Sequence, residues 1–410
     1  MSSLGSFLDL TTKVSVEWKP LMHVFDLKNG YTPAKSNQKY WLDGTIPWFR
    51  MEDIRSNGRI LNDSIQHINS NAVKSGKLFS ANSIIMATSA TIGEHALITV
   101  PHISNQRFTN LNLKKEYADK LDIKYVFYFC YVLSIWCKNN LILGNFAAVD
   151  MAGFKKFPFP IPPLEIQIEI VRILDTFTEL TAELTAELTA RKKQYVYYRD
   201  KLLTFEEGEV EWKAMGEFGK FVRGSGLQKS DLMDKGIGCI HYGQIYTFYG
   251  NHAYNTKSFV SQSAAMKLRK AQKGDIVIAT TSENIEDVCK SLVWLGEDEI
   301  CVSGETYIFK HDQNPKYIAY YLQTPTFFDF KIRNRTGTKV IRVHGDKLSE
   351  FKIPLPPLAE QARIVAILDK FDTLTTSITE GLPREIELRK KQNEYYRNLL
   401  LTFPKDNAQP

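Results

Sequence analysis

Apolar residues recur every three or four positions along two stretches of this chain. In the first, Ile166, Ile170, Ile173, Leu174, Phe177, Leu180, Leu184 and Leu188 form one stripe, which Tyr195, Tyr198 and Leu202 continue. In the second, Ile364, Ile367, Leu368, Phe371, Leu374 and Ile378 repeat the pattern. That spacing is the period of a helix with one buried face. A helix over 164–203 would run about 60 Å at roughly 1.5 Å per residue, too long for one side of a small domain. Such a helix needs a partner, and the second stripe supplies one. Elsewhere the pattern changes to short β-branched and aromatic runs. Residues 83–88, 96–100, 275–280, 291–295 and 306–309 read as strands, and 125–136 and 317–324 as buried helices.

The two stripes belong to a longer duplication. Val16-Glu17-Trp18-Lys19 returns as Val210-Glu211-Trp212-Lys213, and Pro160, Pro162, Pro163 and Gln167 return as Pro354, Pro356, Pro357 and Gln361, all at an offset of 194 residues. Arg191-Lys192-Lys193-Gln194 and Leu202-Leu203-Thr204-Phe205 return at 389–392 and 400–403, now 198 residues on. Between these matches, residues 22–156 and 216–350 show no similarity. Their shared order of elements still predicts one mixed α/β fold in both inserts. The spacer segments differ in one place. The first holds two tandem Thr-Ala-Glu-Leu units, including Thr181, Leu184, Thr185 and Leu188, whereas the second holds Gly381-Leu382-Pro383. Glycine and proline inside a helical pattern predict a break there, so only the first copy should be one uninterrupted rod. Residues 4–15 precede the first frame as 198–209 precede the second. This predicts a circular repeat, with the N-terminus packing near the C-terminal helix about an approximate twofold axis.

Composition narrows the class. A hydrophobic content of 43% and a charged content of 24% are those of a soluble globular protein. No apolar run is long enough to span a membrane, and the N-terminus lacks a secretory pattern. Five cysteines without Cys-x-x-Cys spacing read as buried reduced thiols of a cytoplasmic protein, and eight scattered histidines predict no metal centre. The net charge of +6 is unevenly spread: +6 over residues 16–157, +3 over 210–351 and −3 over the remaining frame. The positive excess therefore lies on the inserts, where a polyanion-binding surface would be expected.

Candidate DNA contacts follow from that charge. In the second insert they are Lys331, Arg333, Asn334, Arg335, Thr338, Lys339 and Arg342. Arg and Asn suit guanine and adenine edges, Lys and Thr suit phosphate, and the 333–339 stretch reads as a flexible loop. The corresponding stretch of the first insert, 138–145, is much less basic, so Lys35, Arg50, Arg55, Arg59 and Arg107 are the candidates there. A solvated basic loop that binds nothing is the competing reading. Catalytic signatures are missing. Gly224 to Ser230 only superficially resembles a phosphate-binding loop, because Gln228 stands where a glycine is required. No adenine-binding Asn-Pro-Pro-aromatic tetrapeptide or serine-hydrolase elbow occurs. Glu17 and Lys19, with Glu211 and Lys213, mimic only half of a nuclease metal site. No catalytic residue is assigned.

The duplicated Pro-Pro-Leu-x-x-Gln frame, Ile-Val-x-Ile-Leu-Asp-x-Phe and Arg-Lys-Lys-Gln-x-x-Tyr-Tyr-Arg resemble the specificity subunit of type I restriction–modification enzymes over the whole chain. The tandem Thr-Ala-Glu-Leu units resemble its type IC group. The resemblance implies a mixed α/β (α+β) architecture: target-recognition domains at 1–157 and 206–351, and two long antiparallel helices at 158–205 and 352–410 forming a coiled-coil spacer. It implies a non-catalytic subunit that reads a bipartite, asymmetric site on double-stranded DNA, one half-site per domain, with the gap set by the spacer. It also implies partners, two methyltransferase and two restriction subunits around one copy of this chain. Those partners, not this chain, would hold S-adenosylmethionine, ATP and Mg2+. The proline clusters (Pro160, Pro162, Pro163, Pro354, Pro356, Pro357), with Gln167 and Gln361, are then the candidate methyltransferase-docking residues. The alternatives are a coiled-coil adaptor with two protein-binding heads and, less consistent with the missing motifs, a methyltransferase–nuclease fusion.

Overall fold

The computed structural model describes residues 7, 11, 13–142, 147–206, 208–377 and 379–404. Their contacts divide the chain into two compact units, residues 1–182 with 388–410, and residues 183–387.

The first unit is built on a five-stranded sheet in the spatial order Phe25–Asn29, Phe108–Leu113, Ser83–Ala87, His95–Ile98, Ile60–Leu61. Its first three pairings are antiparallel and its last parallel. A smaller sheet sets Ile46–Phe49 between His67–Ile68, antiparallel, and Ile103–Ser104, parallel. The helix Ile123–Asn139 covers the larger sheet and buries Tyr125, Phe129 and Leu133. Asp122 caps it by accepting the N–H groups of Lys124 and Tyr125.

The second unit has the same topology. Its five strands run in the order Gly219–Arg223, Thr306–His311, Ile276–Ala279, Lys290–Trp294, His252–Ala253, with three antiparallel pairings and then a parallel one. In its smaller sheet Ile237–Ile240 lies between Ser258–Val260, antiparallel, and Ile300–Val302, parallel, with Lys270–Ala271 added at the edge. Asn314 caps the helix Pro315–Tyr321 as Asp122 caps its counterpart. The expectation of one fold under dissimilar sequences is met. Gly224 also has a structural explanation: a Cβ there would lie 2.0 Å from the Ser303 carbonyl, as one at Gly30 would lie 2.2 Å from that of Ser104.

The matched sequence forms a matched frame. Glu17–Pro20 pairs with Pro158–Ile161, setting Trp18 opposite Pro160, and Glu211–Ala214 pairs with Lys352–Leu355, setting Trp212 opposite Pro354. Prolines are tolerated because each ribbon has only two strands. The first stripe is one unbroken helix, Leu164–Leu202, of 39 residues. The second is divided into Leu358–Thr376 and Leu382–Leu400. Gly381 fixes the break, since a Cβ there would lie 2.3 Å from the Thr373 carbonyl that ends the preceding helix. In the first unit, Ile166, Ile170 and Leu174 from the start of the long helix share a core with Leu400, Leu401 and Phe403, and Phe177 stacks on Tyr396 at 5.3 Å. In the second unit, Leu202 and Leu203 join Ile364, Val365 and Leu368, and Tyr198 stacks on Phe371 at 5.6 Å.

Most of the N-terminal stretch 4–15 lies outside the described residues. Phe7 and Val14 nevertheless pack on the core that holds Leu400, and the Trp18 indole N–H donates to Pro404 O at 3.2 Å. All five cysteines are buried and free, and burial pushes the Cys137, Cys239 and Cys289 thiols up to about 12. Among the described residues no helix is long and apolar enough to cross a membrane, and no cluster of three His, Cys, Asp or Glu side chains could hold a metal ion.

Candidate nucleic-acid interface

Three of the first-insert candidates meet in one place. Lys35, Arg50 and Arg107 line a groove of about 730 Å³ together with Gln66, Asn105 and Gln106, over a floor made by Trp41 and Trp48. Local structure explains each placement. Arg50 occupies the N-cap of the helix Met51–Asn57, where its own N–H donates to Asp53 Oδ2 at 2.6 Å. Its guanidinium lies 5.4 Å from the Trp48 ring and pairs with Glu52 at 3.0 Å. Trp48 is fixed by its indole N–H on Tyr31 O (3.0 Å), and Trp41 packs edge-on against it at 5.0 Å. Asn105 turns the chain before Arg107 by accepting the Arg107 N–H at 3.0 Å. Arg107 itself is exposed, and no side-chain partner holds it among the described residues. Cations, amides and an aromatic floor in one concavity suit phosphate and base edges together.

The other first-insert candidates lie elsewhere. Arg55 and Arg59 line a separate hollow with Ile92, Glu94 and Lys138. Arg59 is engaged by an ion pair with Glu94 and a bond to His95 O. Of the stretch 138–145, residues 143–145 lie outside the described residues.

In the second unit the basic stretch is more ordered than a flexible loop. Arg333 and Asn334 complete the helix Pro325–Asn334, and Asn334 Nδ2 donates to Phe330 O. Residues 335–342 form a hairpin closed by paired backbone bonds between Thr336 and Arg342 (2.8 and 2.9 Å). Gly337 makes that turn at φ 83°. The strand Ile341–Arg342 then pairs with Thr281–Ser282. Arg333, Arg335, Thr338, Lys339 and Arg342 are exposed, and Arg342 Nε lies 3.6 Å from Glu305.

Lys331 is the exception and corrects the sequence reading. It is only 5% exposed, and its three ammonium protons serve the carbonyls of Ile285, Glu286 and Val288 at 2.9–3.0 Å. Burial lowers its pKa. It ties a loop to a helix and has no donor left for phosphate.

The docking candidates need a similar correction. Gln167 is fully buried: its Oε1 accepts the Asp122 N–H, and its Nε2 donates to Lys120 O and Pro162 O. Gln361 is equally buried, accepting the Asn314 N–H and donating to Gln313 Oε1 and Pro356 O. Pro160 and Pro354 are buried too, and their carbonyls accept the Tyr125 and Tyr317 hydroxyls. Pro162 and Pro356 are also covered. Only Pro163 and Pro357 remain exposed, beside the exposed Leu164 and Ile168 in one copy and Leu358 in the other. Sequence reasoning also missed two half-buried carboxylates. Asp175 takes the Tyr128 hydroxyl and the Lys124 ammonium, each at 2.7 Å, and Asp369 does the same with Tyr320 (2.6 Å) and Lys316 (2.8 Å).

Two tandem units of one topology, each with polar and cationic groups on its insert, define a duplicated recognition protein. Residues 14–191 and 207–388 each match the family described as the type I restriction modification DNA specificity domain. The chain is 44% identical over 397 residues to the type I restriction enzyme EcoprrI specificity subunit of Escherichia coli, covering 93% of both chains. It is 40% identical over 296 residues to the EcoR124I/EcoR124II specificity subunit of Escherichia coli, covering 70% of this chain and 72% of that one. The chain belongs to the type I restriction–modification specificity family. Its fold is similar to a chain solved in a study of complex assembly and conformational transition of the type I restriction–modification system (TM-score 0.64, 16% identity, covering 95% of this chain and 98% of that one). It is also similar to the type I S subunit from M. genitalium (TM-score 0.51, 16% identity, 97% and 98%).

Proposed function

We propose that this chain is the DNA-specificity subunit of a type I restriction–modification complex, of the type IC group. Each unit reads one half of a bipartite, asymmetric site on double-stranded DNA. One copy of the chain organises two methyltransferase and two restriction subunits in the cytoplasm. The partners hold S-adenosylmethionine, ATP and Mg2+, and this chain performs no covalent chemistry. The observation that carries the reading is the pairing of one topology with two unlike surfaces: Lys35, Arg50 and Arg107 over tryptophans in one unit, the Arg335–Arg342 hairpin in the other. Equal scaffolds with unequal chemistry suit an asymmetric target.

Phosphate contacts fall to Lys35, Lys339 and Thr338. Base edges fall to Arg50, Arg107, Arg333, Asn334, Arg335 and Arg342. Arg55 lies apart from these, at the edge of the surface, and Lys331 takes no part because its ammonium is spent on carbonyls. Methyltransferase docking falls to the exposed Pro163 and Pro357 with their neighbouring leucines, while Gln167 and Gln361 support that surface from beneath.

The unbroken helix Leu164–Leu202 sets the gap between half-sites. One added Thr-Ala-Glu-Leu unit extends a helix by roughly 6 Å and turns it by about 40°. That is one or two base-pair steps of about 3.4 Å. The hydroxyls tolerate such insertion because they bond back along the helix, Thr181 to Phe177 O (2.8 Å) and Thr189 to Thr185 O (3.0 Å). Inserting one unit after Leu188 is expected to lengthen the non-specific gap and leave both half-sites unchanged. Sequencing of methylated adenines that shows an altered half-site with an unchanged gap contradicts this.

A further inference from the structure

The inserts share no sequence pattern, yet their backbones can be matched residue by residue through hydrogen bonds. The Gly30 N–H donates to Phe108 O as the Gly224 N–H donates to Thr306 O, both at 2.9 Å. The Phe108 N–H donates to Asn105 O as that of Thr306 does to Ser303 O, both at 3.2 Å. The Thr88 N–H donates to Arg107 O as the Thr280 N–H does to Glu305 O, both at 3.0 Å. The Asn105 N–H donates to Phe49 O at 3.0 Å, and that of Ser303 to Ile240 O at 3.2 Å. These bonds make Arg107 and Glu305 the same position, the residue entering the second strand of each five-stranded sheet. Arg50 and His241 are likewise equivalent. Each is a helix N-cap whose own N–H donates to the side chain three residues on, Asp53 or Gln244.

The charge at the first position is therefore reversed. Arg107 presents a free, exposed guanidinium beside Arg50 in the groove of the first unit. Glu305 presents a half-exposed carboxylate, 34% accessible, held by the Thr281 hydroxyl. The facing position has changed in compensation. The Val149 N–H donates to Thr88 O (2.9 Å) as the Val343 N–H does to Thr280 O (3.2 Å), which makes Ala148 and Arg342 equivalent positions. Where the first unit has an arginine at the strand entry and an alanine at this second position, the second unit has a carboxylate and an arginine, 3.6 Å apart.

We propose that Arg107 and Glu305 are equivalent specificity-determining residues, each reading one base pair of its own unit's half-site. Arg107 donates to the O6 and N7 acceptors of guanine, and Glu305 accepts from the exocyclic amine of cytosine. The Arg342 guanidinium, 3.6 Å away, orients the Glu305 carboxylate. Elementary base chemistry gives this reversal its meaning: a position that offers donors in one unit and acceptors in the other selects opposite members of a base pair. This assignment rests on the DNA-reading function proposed above.

The test uses the full chain with its methyltransferase partner. Arg107→Gln and Glu305→Gln are introduced separately, and the methylated adenines of a host genome are mapped beside the wild type. Arg107→Gln is expected to relax one base of one half-site, and Glu305→Gln one base of the other, with the gap unchanged. Discrimination at that base should fall about tenfold or more. A wild-type motif retained unaltered by either variant overturns the assignment. So does relaxation of the same half-site by both, or a uniform slowing at every site with no base relaxed. Urea denaturation of each variant separates misfolding from misreading, and Arg107→Lys and Glu305→Asp replace any variant that does not fold. If the wild type itself yields no bipartite motif, the DNA-reading function fails, not this assignment alone.

Discussion

The frame and the insert of each unit repeat in different ways. In the frame the side chains themselves recur: Gln167 and Gln361 accept one helix-capping N–H and donate to one proline carbonyl each. Asp175 and Asp369 each take a tyrosine and a lysine. In the inserts it is the backbone that recurs, while Arg107 is exchanged for Glu305 and Arg50 for His241. A buried amide with every polar atom satisfied has one workable solution, because losing a partner leaves a desolvated group behind. An exposed strand entry is held by its main chain alone, so its side chain is free to follow the ligand. Invariance of the buried frame therefore reflects its polar satisfaction, and divergence at the strand entry is tolerated because the backbone alone holds it.

The comparison can be broken most sharply at the frame. Gln361→Ala and Gln167→Ala each strand buried donors and acceptors, so each should cost about 2–4 kcal/mol in urea denaturation. Losses that differ grossly between the two would show that the copies are not energetically equivalent. Lys331→Ala uncovers three carbonyls and should cost about 1–3 kcal/mol. It should leave the methylated motif intact, whereas a relaxed half-site would return Lys331 to the reading surface.

Acid should distinguish the units at another equivalent pair. Strand register aligns His95 with Ser291, both buried. Burial lowers the His95 pKa to about 3, against a backbone bond to Gly93 O that works the other way. The folded state thus binds the proton less readily than the unfolded chain. Stability from neutral His95 is complete above about pH 6.5 and is lost as pH falls toward about 3. The slope is about 1.4 kcal/mol per pH unit. His95→Gln should flatten the dependence of the urea midpoint between pH 7 and 5, and an unchanged slope would contradict this. The smallest effect is expected at the exposed hairpin. Lys339→Ala should weaken DNA binding evenly across sequences and reduce the log–log salt slope by about 0.9. A change of preferred sequence would make it a base contact.

Periodicity made the helices legible, and the order of elements made the shared fold legible. Gly381 and Pro383 marked the break because their backbone limits are local properties. Tertiary burial was not local. Gln167 beside a proline cluster looks the same whether it lines a surface or clamps a core. Lys331 did leave a trace, since it stands four residues after the buried Phe327 on one helical face, but its charge outweighed its spacing. The equivalence of Arg107 and Glu305 lay beyond reach, because insertions shift the register inside the inserts and only backbone hydrogen bonds restore it.

Mapping methylated adenines in a host that expresses this chain with its methyltransferase partner tests the whole account most directly. Two dissimilar short half-sites separated by a fixed run of unread bases are the expected result. One continuous motif, two identical half-sites, or methylation without sequence preference would contradict it.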